Sequence, residues 1–120
     1  MHIITKIFIA IVAIEHLYIL WLEMFAWTTK APKVFRMLDR KLFEPTKGLA
    51  ANQGLYNGFL AAGLFWSLLI TDAIWAKNIA MFFIGCVIVA GIFGGISASK
   101  SIFIKQGIPA IITLLFILFL

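Results

Sequence analysis

With one cysteine, Cys86, the chain has no intramolecular disulfide, and that thiol sits in an apolar run where it reads as a small packing residue. Charge is scarce, at 12% of residues, and acidic charge scarcer still, with five Asp and Glu in 120 positions. No stretch is long or polar enough to form a separate soluble unit, so a single domain over 1–120 is expected. No internal repeat is visible. Nucleophile elbows, phosphate-binding loops and dinucleotide fingerprints are all missing, which removes the enzyme classes that announce themselves by such motifs.

What the chain has instead is hydrocarbon. Hydrophobic residues make up 63% of it, more than a soluble domain of this length can hide, so lipid is the expected solvent for most of its surface. Four apolar stretches, at about 3–27, 49–75, 79–96 and 102–120, approach the 17–25 residues that cross about 30 Å of hydrocarbon as a helix. Helices are required because a backbone in lipid must satisfy its own polar groups. The first stretch is too long and too acidic for a signal peptide and ends Met24-Phe25-Ala26-Trp27-Thr28-Thr29-Lys30 rather than in a small-residue cleavage site, so it is read as retained.

The net charge of +5 does not point to nucleic acid, because the basic residues lie between the spans, where they set topology and meet lipid headgroups. Lys30, Lys33, Arg36, Arg40, Lys41 and Lys47 occupy the first connection, and Lys100 and Lys105 the third; Lys6 and Lys77 fall on the opposite side. The positive-inside rule then puts both termini outside. The expected architecture is an all-α, polytopic membrane four-helix bundle, N-out and C-out. Between its first two helices, Val34, Phe35, Leu38 and Leu42 recur at helical spacing between Pro32 and Pro45, predicting a short amphipathic helix on the headgroup surface over about 33–44. Gly91-xxx-Gly95 and Gly94-xxx-Ala98 in the third span predict close helix packing, and Pro109 predicts an irregularity in the fourth.

Polar residues inside the spans carry the functional signal. Glu15, His16 and Glu23 interrupt the first. An ionised carboxylate near the bilayer centre costs about 2.5–3.5 kcal/mol on insertion scales, and such groups persist where they face a bundle interior or a water-filled cavity. At 100° per residue His16 and Glu23 fall within about 20° of each other, with Glu15 about 100° aside. In the second span Asn52 and Tyr56 nearly superpose, as do Gln53 and Asn57 on the adjoining face. Antiparallel pairing that matches Trp27 with Gly48 in depth sets Glu23 level with Asn52, and Gln106 begins in the same half of the fourth span. One polar site is expected, with Glu15, His16 and Glu23 doing acid–base or proton-carrying work and Asn52, Gln53, Tyr56, Asn57 and Gln106 binding. Adjacent Glu15-His16 lacks the i, i+4 placement of helical metal pairs, and no metal or cofactor is expected. The bland alternative is structural: amides that bridge helices.

The chain resembles the Domain of Unknown Function 1304 family of small bacterial and fungal membrane proteins. The resemblance is carried by Glu15-His16-Leu17-Tyr18, Glu23-Met24-Phe25-Ala26-Trp27 and above all Asn52-Gln53-Gly54-Leu55-Tyr56-Asn57-Gly58-Phe59-Leu60-Ala61-Ala62-Gly63, and it extends through Gly91-Ile92-Phe93-Gly94 to Gln106-Gly107-Ile108-Pro109. It implies a multi-pass protein of the cell membrane and brings no established activity. Three functions stay open. One is an intramembrane pocket that binds, or transforms by acid–base chemistry, a lipid-soluble small molecule. Another is proton-coupled transport of a small or cationic solute through Glu15 or Glu23, and the last is an assembly or regulatory subunit. Membrane lipid is a partner in each. Four short helices enclose little volume, which leaves room for a homo-oligomer.

Overall fold

The structure is a computed structural model that describes residues 1–120. It is all α, with no strand. The main helices are α1 (Ile3–Met24), α3 (Lys47–Leu69) and α4 (Ala73–Ser97), with a short α2 (Ala31–Val34) after α1. A last helical stretch consists of α5 (Lys100–Ile102), a π-helical turn (Phe103–Gly107) and α6 (Ile108–Phe119). Three stretches, Ile3–Met24, Ala73–Ser97 and Lys100–Phe119, are long and apolar enough to cross a membrane. α3 has the length, with 23 residues, but Asn52, Gln53, Tyr56 and Asn57 dilute the hydropathy of its first half.

Apolar runs located the helices better than they located the ends. The apolar runs put the boundary between the second and third at 75–79, yet the chain leaves α3 after Leu69 and starts α4 at Ala73. Asp72 is the reason: its carboxylate accepts from the backbone N–H of Trp75 at 2.9 Å and caps α4, a bond that an uninterrupted helix would forbid. Trp75 therefore belongs to the first turn of α4. The irregularity expected near Pro109 takes the form of the π-helical turn. Proline has no N–H, and its ring crowds the carbonyl four residues back. The helix widens just before it, and Ile108 N–H donates to Phe103 O.

The chain divides into two compact units. One comprises Met1–Ile14 with Leu60–Leu120. Its core is built from Ile9, Val12, Ala13, Leu64, Ala80, Ile84, Val87, Ala110 and Ile117. Phe8 meets Phe116 edge-on at 4.8 Å, and the Thr5 hydroxyl donates to Phe116 O at 3.4 Å, tying the first half of α1 to α6. At Gly91 and Gly107 the backbones of α4 and the last stretch meet: a Cβ at Gly91 would stand 2.8 Å from Gly107 Cα.

The other unit is Glu15–Phe59. Here the expected amphipathic helix over 33–44 does not form. α2 stops at Val34, and a single 3-10 turn, Arg40–Leu42, follows behind an Asp39 carboxylate that accepts from Lys41 N–H at 2.9 Å. Trp27 is the cause. It lies past the end of α1 and gathers Phe35 and Phe43 at ring distances of 5.8 and 4.7 Å, over a small core of Leu22, Ala31 and Phe43. Its indole N–H donates to Thr46 Oγ1 at 3.1 Å, and Thr46 in turn donates to Leu42 O at 2.6 Å. A helix through 33–44 would hold Phe35 and Phe43 about 12 Å apart along its axis, too far for one tryptophan to touch both rings. Folding back onto one tryptophan buries Phe43 and half-buries Phe35, at about 25 cal/mol for each Å² of apolar surface removed from water. Arg36, Arg40 and Lys41 are left exposed on the outside of this cap.

Candidate functional site

Small residues bring α1 and α3 together within the Glu15–Phe59 unit. A Cβ at Gly54 would lie 2.7 Å from Met24 Cγ, 3.0 Å from Glu23 Cβ and 3.2 Å from Leu20 O, and one at Gly58 would lie 2.6 Å from Leu20 Cδ1. Only glycine permits backbones this close. Ala50, Gly54, Asn57 and Gly58 recur at helical spacing and make one face of α3. Asn57 is the polar member of that face, so it is the amide that meets α1.

Glu23 is 5% exposed, and its Oε1 accepts from Asn57 Nδ2 at 2.6 Å. The same Nδ2 donates to the Gln53 carbonyl at 3.2 Å, one turn back on its own helix. Both amide hydrogens of Asn57 are thereby engaged, and its Oδ1 is the atom left to accept. His16 is 1% exposed and sits on the same stripe of α1 as Glu23, about 10 Å nearer the N-terminus. Glu15, beside it, turns an Oε1 inward that is closed off from the surface and has no hydrogen-bond partner. An orphaned buried acceptor costs about 1–3 kcal/mol, more when it is charged.

The other candidates are placed elsewhere. Asn52, Gln53 and Tyr56 are exposed. Asn52 and Tyr56 are each two residues from Gly54, hence about 200° round the helix and on its far face; Tyr56 packs edge-on to Phe59 at 5.7 Å. The depth register also differs from expectation, since Glu23 is level with Gly54 and Asn57 rather than with Asn52. The physical reason is that α3 starts about two turns before it reaches the end of α1, and its first residues run alongside the Trp27 cap. Gln106 lies half-buried in the π-helical turn of the other unit. No three His, Cys, Asp or Glu side chains come together in a group able to hold a metal ion. The Gly54-xxx-Gly58 contact went unread in the sequence, although the same small-residue pattern is what marks close packing in the third span.

Taken together, the fold and this pair define an all-α chain with helices of membrane length and a buried carboxyl–amide contact between two of them. The profile of the family described as "Protein of unknown function (DUF1304)" matches residues 10–118, and the chain belongs to that family. It is 32% identical over 117 residues to the uncharacterized protein YpaA of Lactococcus lactis, covering 96% of this chain and 97% of that one. No solved structure matches it.

Proposed function

We propose that the Glu15–Phe59 unit binds a lipid-soluble small molecule that offers hydrogen-bond donors from its polar head, and that Glu23 and His16 exchange a proton with it. The observation that carries this is the surplus of acceptors: Glu15 Oε1 has no partner, and Asn57 commits its hydrogens to Glu23 and Gln53. A hydroxyl or ammonium group satisfies either acceptor, and because Glu15 lies about 12 Å along α1 from the level of Asn57 a molecule that uses both carries two such groups; a carboxylate or phosphate would be repelled. The body of such a molecule lies against apolar walls, the usual form of a small-molecule site. We place the unit in a bacterial cell membrane, with α3 as a fourth crossing beside the three apolar stretches and both termini outside, on the strength of the basic residues in the first and third connections.

Native mass spectrometry of protein purified in mild detergent tests this reading. A defined hydrophobic adduct carrying a hydroxyl or amine is expected on the parent and absent from Glu23→Gln and Glu15→Gln. Folded His16→Ala and Glu23→Gln variants that keep every adduct of the parent would end the proposal. Substrate-driven proton movement in liposomes, lost in the same Glu variants, would convert it into transport.

A second reading rests on a different observation. Asn52, Gln53 and Tyr56 present polar groups on the outer face of α3, and a second copy would give these amides partners across an interface. Sedimentation in detergent should then show a dimer that dissociates when Asn52→Leu and Gln53→Leu are combined. A parent that is monomeric throughout discards this reading.

A further inference from the structure

A groove of about 560 Å³ opens between α4 and the last helical stretch, far along the chain from the carboxyl–amide pair. Ile92, Gly95 and Ile96 form one wall; Phe103, Ile104 and Ile111 form the other, and Lys100 stands at one end. We propose that this groove holds one acyl chain of an anionic phospholipid, with its phosphate on the Lys100 ammonium.

Three features select that occupant. The lining is hydrocarbon apart from one cation, so the ligand has an apolar body and an anionic end. The hairpin at Ala98–Ser99 joins two helices of membrane length, which sets Lys100 at headgroup depth and runs the groove inward from there. From Lys100 to Ile111 the helical rise is about 16 Å, close to half of a hydrocarbon core about 30 Å thick, the reach of a chain in one leaflet. Charge agrees as well. The chain's one ion pair joins Lys47 to Glu44, so Lys100 has no carboxylate of its own. Gly95 lets Phe103 close against it, since a Cβ there would lie 2.7 Å from Phe103 Cβ. Basic pockets between membrane helices recognise anionic headgroups in the same way. The site is independent of the function proposed above.

The test uses the full-length protein reconstituted in vesicles of equal parts phosphatidylglycerol and phosphatidylcholine, then extracted for native mass spectrometry. The parent should retain phosphatidylglycerol in preference to phosphatidylcholine. Lys100→Gln should lower that preference about five-fold, the effect of one basic residue at an anionic surface, while Lys105→Gln, outside the groove, leaves it unchanged. Ile104→Trp, which fills the groove from an exposed position, should reduce retention of both lipids. Equal retention of the two lipids by the parent overturns the proposal. So does an equal loss in Lys100→Gln and Lys105→Gln, which would mean diffuse charge, and so does undiminished binding in Ile104→Trp.

Discussion

Asn57→Leu is expected to lower the stability of the protein by about 1–3 kcal/mol, the cost of leaving a buried acceptor without its donor. The two side chains are close in size, so the loss reports the bond to Glu23 rather than a cavity. Average hydrogen bonds between membrane helices are worth only about 0.6 kcal/mol. The Glu23 contact should exceed that mean because the carboxyl is 5% exposed and has little water to fall back on. Glu23→Gln should stay close to the parent in stability, since its amide oxygen still accepts from Asn57. Combining Glu23→Leu with Asn57→Leu should recover part of the loss, since removing both partners of a buried pair costs less than removing one. Thermal unfolding in detergent, followed by tryptophan fluorescence across this double-mutant cycle, reads all three values. A single Asn57→Leu variant as stable as the parent would mean that the 2.6 Å contact organises nothing.

The wedge of Glu15, His16 and Glu23 was legible because helical periodicity alone fixes which residues of one helix share a side. The amides were legible as residues but not as partners. Asn52–Tyr56 and Gln53–Asn57 are equally good pairs on adjoining faces, and nothing polar decides which turns toward α1. The deciding residues are Gly54 and Gly58, which carry no polarity at all. They mark the face where a second backbone can approach, and Asn57 shares it. The linker was misjudged for a related reason. A helical spacing of Val34, Phe35, Leu38 and Leu42 says that these residues share a face, but it does not weigh that face against a nearby aromatic, and Trp27 offers Phe35 and Phe43 a better burial. Hydropathy likewise ran across Asp72, because one acid among Ile70, Ala73, Ile74 and Trp75 barely changes an average while it ends one helix and caps the next. Long apolar runs determine that helices exist. Single small or polar residues determine where they stop and which way they face.

The same principle makes the second large prediction, in which a single methyl group has opposite effects at two positions of α4. At Gly91 a Cβ would lie 2.8 Å from Gly107 Cα and 2.9 Å from Gly107 N. Both neighbours are backbone, held by the π-helical turn before Pro109, so neither can rotate out of the way as a side chain would. Gly91→Ala gains about 0.5–1 kcal/mol of helix propensity. Against this stands an overpacking cost of typically 1–3 kcal/mol, and more where the neighbour is rigid. Strain should win, and the variant should unfold earlier on heating. At Gly85, earlier on the same helix, nothing lies within 4 Å of the added Cβ. Gly85→Ala keeps the propensity gain without the strain and should be neutral or stabilising. Thermal unfolding of the two variants beside the parent is sufficient, since the sign alone decides. If both alanines stabilise, α4 and the last helical stretch are not held at backbone contact.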